Sequence, residues 1–129
     1  ENERRAVAQN DETRRRFEEG IEAFERSGRA PGAEDSMILA RAHYNLACIH
    51  SLLSAGKKAR LAEARDPAPE ERARQRRLVL EHLERSFESG YEAFDHARED
   101  PDLAPVRGWE DFEALLAAWE RRKSGEKQD

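Results

Sequence analysis

ARAHYNLACIHSLLSA, residues Ala40 to Ala55, is the stretch whose periodicity decides the fold. Leu39, Ala42, Leu46, Ile49 and Leu53 recur at steps of three and four, the spacing of one apolar stripe on a helix of about five to six turns. Ala47 adds a small residue beside that stripe, where a partner backbone can come close. Arg41, Tyr44, Asn45, Cys48 and Leu52 recur on a neighbouring face. One helix therefore carries two surfaces, the first suited to packing on neighbouring helices and the second to lining a groove.

On the N-terminal side, Phe17, Ile21 and Phe24 form a second stripe inside a helix expected from Arg4 to Ser27, which Gly28 ends. Gly20 lies within it and is expected to mark a close helix contact, since an interior Gly costs about 1 kcal/mol relative to Ala. The Pro31-Gly32 pair predicts a loop, and Asp35 or Ser36 is placed to cap the central helix. Gly56 with Lys57 and Lys58 suits that helix's C-terminal end.

On the C-terminal side, Asp66-Pro-Ala-Pro predicts a new helix start. The helix that follows carries Val79, Leu80, Leu83 and Phe87 and stops at Gly90. A short helix over 91–99 is then broken at Asp100-Pro-Asp-Leu-Ala-Pro-Val, with Leu103 and Val106 as apolar plugs. Trp109, Phe112, Leu115, Leu116 and Trp119 form the last stripe, and residues 121–129 read as a polar, frayed tail. No segment alternates with period two, so the expected fold is all-α, about five helices in one domain over residues 1–120. Phe24, Leu46, Ile49, Leu53, Leu83, Phe87, Phe112 and Leu116 are the expected core.

Composition sets the outer bounds. Leu, Ile, Val and Phe number only 22 of 129 residues, a share that taken alone suggests disorder. Twenty alanines replace part of the missing apolar content and favour helix. The 40% of charged residues interleave both signs, and the net charge of −5 gives no general attraction to nucleic acid or anionic membrane. No run is long and apolar enough for a membrane span, so a soluble chain is expected, its compartment left open with the cytoplasm favoured. The single Cys excludes an internal disulfide, and the initial Glu suggests processing or excision from a longer polypeptide.

Candidate chemistry is sparse. His43 and His50 are seven apart, about 10 Å along a helix axis, too far to bind one ion, and Cys48 points elsewhere. His82 and His96 have no ligand spacing. The carboxylates lie among Arg and Lys, and the seven glycines form no phosphate loop. The arginines at 14–16 and 72–77 are flanked by Glu and lack a stacking surface for bases. The expectation is therefore no catalysis, no metal, no cofactor and no nucleic-acid partner.

Residues 40–53 resemble the first helix of a tetratricopeptide repeat, with Leu46 and Ala47 in its large and small signature places. Glu81-His-Leu-Glu-Arg-Ser-Phe-Glu-Ser-Gly-Tyr resembles the second helix of that repeat, and Phe17 to Ser27 another second helix, with Gly20, Phe24 and Ser27 in the family's small–large–small order. Asp100 to Arg107 with Phe112-Glu-Ala-Leu-Leu is similar to the module that closes many bacterial repeat arrays. The chain departs from the 34-residue period by roughly two dozen extra residues near 57–77, and has His43 and His50 where the family prefers aromatics. The resemblance implies a short α-solenoid of stacked hairpins that acts as a scaffold for a protein or peptide partner. In it the face of Arg41, Tyr44, Asn45, Cys48 and Leu52 would line the groove, Asn45 bonding a peptide backbone and Arg41 pairing a carboxylate. The alternative is a structural module that caps or docks onto a larger enzyme or receptor. On either reading the N-terminal helix, which resembles the second member of a pair, is expected to cover its stripe with upstream sequence or with a second copy of the chain.

Overall fold

The computed structural model describes residues 2–55 and 67–128, with side chains described over 12–55 and 67–125. Among these residues there are helices and no strand: α1 (Asn2–Ser27), α2 (Ala33–Ala55), α3 (Pro69–Glu88), α4 (Phe94–Glu99), a 3-10 helix (Pro101–Val106) and α5 (Glu110–Gln128). No described helix is long and apolar enough to cross a membrane.

Local chemistry sets most of these ends. Gly28, at φ 68°, closes α1 in a backbone conformation that favours glycine. α2 begins two residues before the expected cap. Asp35 lies in its first turn, and its Oδ2 reaches back to accept from the Gly32 N–H at 3.2 Å, while Arg29 pairs with the same oxygen. Pro69 occupies the first position of α3, where its missing N–H costs nothing. The expected cap Asp66 and the expected stop at Gly56 to Lys58 lie outside the described residues. At the other end of α3, Gly90 at φ 115° lets the Tyr91 N–H bond the Ser86 carbonyl and its own N–H bond that of Phe87.

The Asp100-to-Val106 break is itself ordered as the 3-10 helix. Asp100 Oδ1 caps it by accepting from the Asp102 N–H at 2.9 Å, and both plugs, Leu103 and Val106, are wholly buried. The tail expected to fray from residue 121 instead continues α5 to Gln128. Two contacts hold its first turn: within α5 the Arg122 guanidinium lies 4.2 Å over the Trp119 ring, and Lys123 pairs with Glu92 before α4.

α2 is the centre of the molecule. Leu46 and Ala47 are wholly buried, as are Val79, Leu83 and Phe87 of α3 and Phe112 and Leu116 of α5. Of the expected core, Phe24 and Leu53 are only half-buried; Phe24 lies on α1 with the Arg29 guanidinium over its ring. The high charge content is spread over solvated faces, as in the Arg16–Glu12 and Arg26–Glu22 pairs of α1, each worth a few tenths of a kcal/mol at about four residues' spacing. Gly20 marks no close contact, for a Cβ there would meet nothing within 4 Å.

Candidate functional site

The second face of α2 divides into two parts. Arg41 is exposed and Asn45 and Leu52 are half-buried, but Tyr44 and Cys48 are 6% and 7% exposed and belong to the core. They are covered because the 3-10 helix folds over them and brings Asp100 against both. The Tyr44 hydroxyl donates to Asp100 Oδ2 at 2.6 Å, the Cys48 Sγ lies 3.8 Å from that oxygen, and His96 Nε2 approaches it at 3.4 Å. Tyr91 stacks on Tyr44 at 4.6 Å between centroids. Burial, followed by the Asp100 hydrogen bond, pushes the Tyr44 phenol well above its ordinary value. Burial and the neighbouring Asp100 and Asp102 charges do the same to the Cys48 thiol.

Cys48, Asp100 and Asp102 bring ligand atoms within 4.8 Å of one another, the kind of grouping that can hold a cation. Their chemistry fits a hydrogen-bond network better. Asp100 uses one oxygen to cap the 3-10 helix and the other to accept from Tyr44, while the thiol is held protonated by its surroundings. A nucleophilic thiolate needs the opposite environment.

A second polar group crosses from α2 to α3. His43 Nδ1 lies 3.0 Å from His82 Nδ1, and the His82 ring is parallel within 2° to that of His50, 5.5 Å away. His50 Nδ1 faces Gln75 Oε1 at 2.7 Å. The Gln75 amide nitrogen donates to Glu71, so its oxygen is the acceptor toward His50 and His50 carries its proton on Nδ1. A cavity of about 180 Å³ beside His43 and His82 is lined by Glu18, Ile21, Glu22 and Glu25 of α1 and by Arg85 of α3. Burial lowers the proton affinity of all three imidazoles; for His82, with competition from protons on His43 and His50 and repulsion from Arg85 adding to it, the value falls to about 3.

An open cleft of about 590 Å³ lies between α1 and α2. Phe17, Ile21 and Phe24 form one wall and Met37, Ile38 and Arg41 the other. Met37 and Ile38 are 68% and 60% exposed, an uncommon exposure for side chains of this size placed side by side. Gly20 lies along the same cleft. Arg41 makes no ion pair or hydrogen bond among the described residues. Of the expected site, the structure thus brings Arg41 to an open apolar cleft and turns Tyr44 and Cys48 away from it. Met37 falls out of phase with the buried stripe, whereas Ile38 stands four positions before Ala42 and shares its face, so the sequence carried no signal that Ile38 would be exposed. For the meeting of His43 with His82, 39 positions apart, no local signal existed.

Among known proteins, no family model matches the chain and no solved structure matches it. The chain is similar to a chloroplastic protein of Arabidopsis thaliana, at 33% identity over 102 residues. That similarity covers 78% of this chain and 24% of the relative, so the chain spans about a quarter of the length of the curated protein it matches.

Proposed function

We propose that the chain is a tetratricopeptide-like module, its helical hairpins stacked as a short solenoid, that binds a segment of another protein and catalyses no reaction. The α1–α2 cleft carries this reading. Two helices present parallel apolar ridges there, with Phe17, Ile21 and Phe24 facing Met37 and Ile38, and such a groove accepts a segment whose own apolar side chains recur at matching spacing. Met adapts to varied shapes. Arg41, charged and without a partner among the described residues, favours a segment that places a carboxylate beside those apolar anchors. The burial of Tyr44 and Cys48, which disfavours the thiolate and keeps it from solvent, argues against Cys48 as a nucleophile.

Panning a random peptide library against the 129-residue chain tests this reading, with affinities then measured by calorimetry. Selected peptides should carry apolar anchors and an acidic residue, and should lose about tenfold or more in affinity against Ile38→Asp and against Arg41→Glu. Peptides that bind both variants as tightly as the parent chain, or a library that yields none, would overturn it.

A second reading keeps the cleft and changes its occupant: a neighbouring part of a longer polypeptide covers it, making the chain a docking module. The chain's coverage of only 24% of its relative favours that reading. Hydrogen exchange on the complete protein would then show residues 37–42 protected relative to the 129-residue chain. A concentration-dependent dimer of the 129-residue chain, abolished by Ile38→Asp, would instead assign the cleft to a second copy.

A further inference from the structure

The three histidines between α2 and α3 have a part in neither the cleft nor the Asp100 network. We propose that His43, His50 and His82 form a proton-sensitive seam, which holds α2 against α3 while its rings are neutral and loosens in mild acid. The hydrogen-bond geometry favours a neutral ring at His50 and at whichever of His43 and His82 accepts. His50 carries its proton on Nδ1, where it donates to Gln75, which leaves a lone pair on Nε2; that atom is buried and has no hydrogen-bond partner among the described residues. A second proton on His50 would be a charged N–H with nothing to receive it. The His43 and His82 Nδ1 atoms share one proton across 3.0 Å. Charging both rings would set two N–H groups head to head and break the bond.

The surrounding charges do not relieve this. On α3, Arg85 faces His43 and His82, and Arg74 faces His50. From α1, Arg14 acts on His50 in the same direction, while Glu18 and Glu25 act in the opposite one. Glu22 also lines the cavity. Burial outweighs the carboxylates at each ring. Ile21 of α1 lines both this cavity and the α1–α2 cleft, so a change in the seam reaches the wall of the cleft directly.

The linkage has a definite sign. Each ring binds protons less readily in the folded chain than in the unfolded one, whose histidines titrate near the ordinary 6.5. Stability is therefore fully present above about pH 6.5 and is lost as pH falls below it, toward about 3 for His82.

Urea unfolding of the 129-residue chain at pH values from about 8 to about 5 is the test. Below about pH 6.5 the unfolding constant should rise about tenfold per pH unit for each ring that stays neutral. His50→Gln and His82→Gln, which keep a polar side chain without the titration, should each flatten that dependence by about one proton. Nitrogen-15 spectra of the parent chain give a readout that does not depend on the variants folding. His50 should appear as the Nδ1–H tautomer, His82 should remain neutral at about pH 5.5, and His43 and His50 should titrate below their ordinary value. Rings that titrate near 6.5 in the folded chain, or variants with the parent's pH dependence, would overturn the proposal.

Discussion

The Tyr44 hydroxyl donates to Asp100 Oδ2 at 2.6 Å across 56 positions of sequence, tying the middle of α2 to the cap of the 3-10 helix. The same carboxylate supports Asp102 N–H through its other oxygen, and the Arg107 guanidinium bonds the Asp100 carbonyl. A single buried residue therefore starts one helix and anchors another.

Tyr44→Phe removes the shortest of the contacts to Asp100 Oδ2 and leaves that buried oxygen only the longer approaches of Cys48 and His96, so it should cost about 1–3 kcal/mol of unfolding free energy. Asp100→Ala should cost more, because the cap on the 3-10 helix goes with it. Denaturant unfolding of the single and double variants reads the coupling, which should exceed about 0.5 kcal/mol. Additive effects would mean that the two side chains act separately.

Leu46→Ala should destabilise the chain by about 2–5 kcal/mol and Phe87→Ala by about 3–5 kcal/mol, since both side chains are wholly buried where α2 meets α3. Loss of less than about 1 kcal/mol at either position, by denaturant unfolding, would place that residue at the edge of the core.

Native Cys48 should react with a maleimide at about pH 8 far more slowly than the urea-unfolded chain does. The thiol is buried beside Asp100 and Asp102, which hold it protonated, and the thiolate is the reactive form. Fast labelling of the native chain, followed by mass spectrometry, would show that the face over Cys48 opens readily.

The glycines of α1 and of the α3 terminus should respond oppositely to alanine. Gly20→Ala places a Cβ in open space on a helix and should stabilise by up to about 1 kcal/mol. Gly90→Ala forces φ 115° on a residue with a Cβ and should destabilise by about 1–3 kcal/mol. The shift in the thermal midpoint of each variant gives the sign directly.

By itself the sequence determined the helices and most of their ends, because those depend on neighbours within about four residues. The Leu46–Ile49 stripe makes α2 a helix, Gly28 and Gly90 terminate α1 and α3, and Pro69 opens α3. Tertiary structure decided which faces stay open. α2 buries Tyr44 and Cys48 as well as Ala42, Leu46 and Ile49 of its apolar stripe, and also His43 and His50, although nothing local makes those polar groups suitable for a core. Their partners Asp100, His82 and Gln75 lie 25 to 56 positions away and supply the hydrogen bonds that permit burial. Met37 and Ile38 are exposed for the converse reason. They read as core by composition, yet no described element lies across the α1–α2 cleft to cover them. Periodicity reports which residues share a face, whereas burial depends on what else the chain brings to that face.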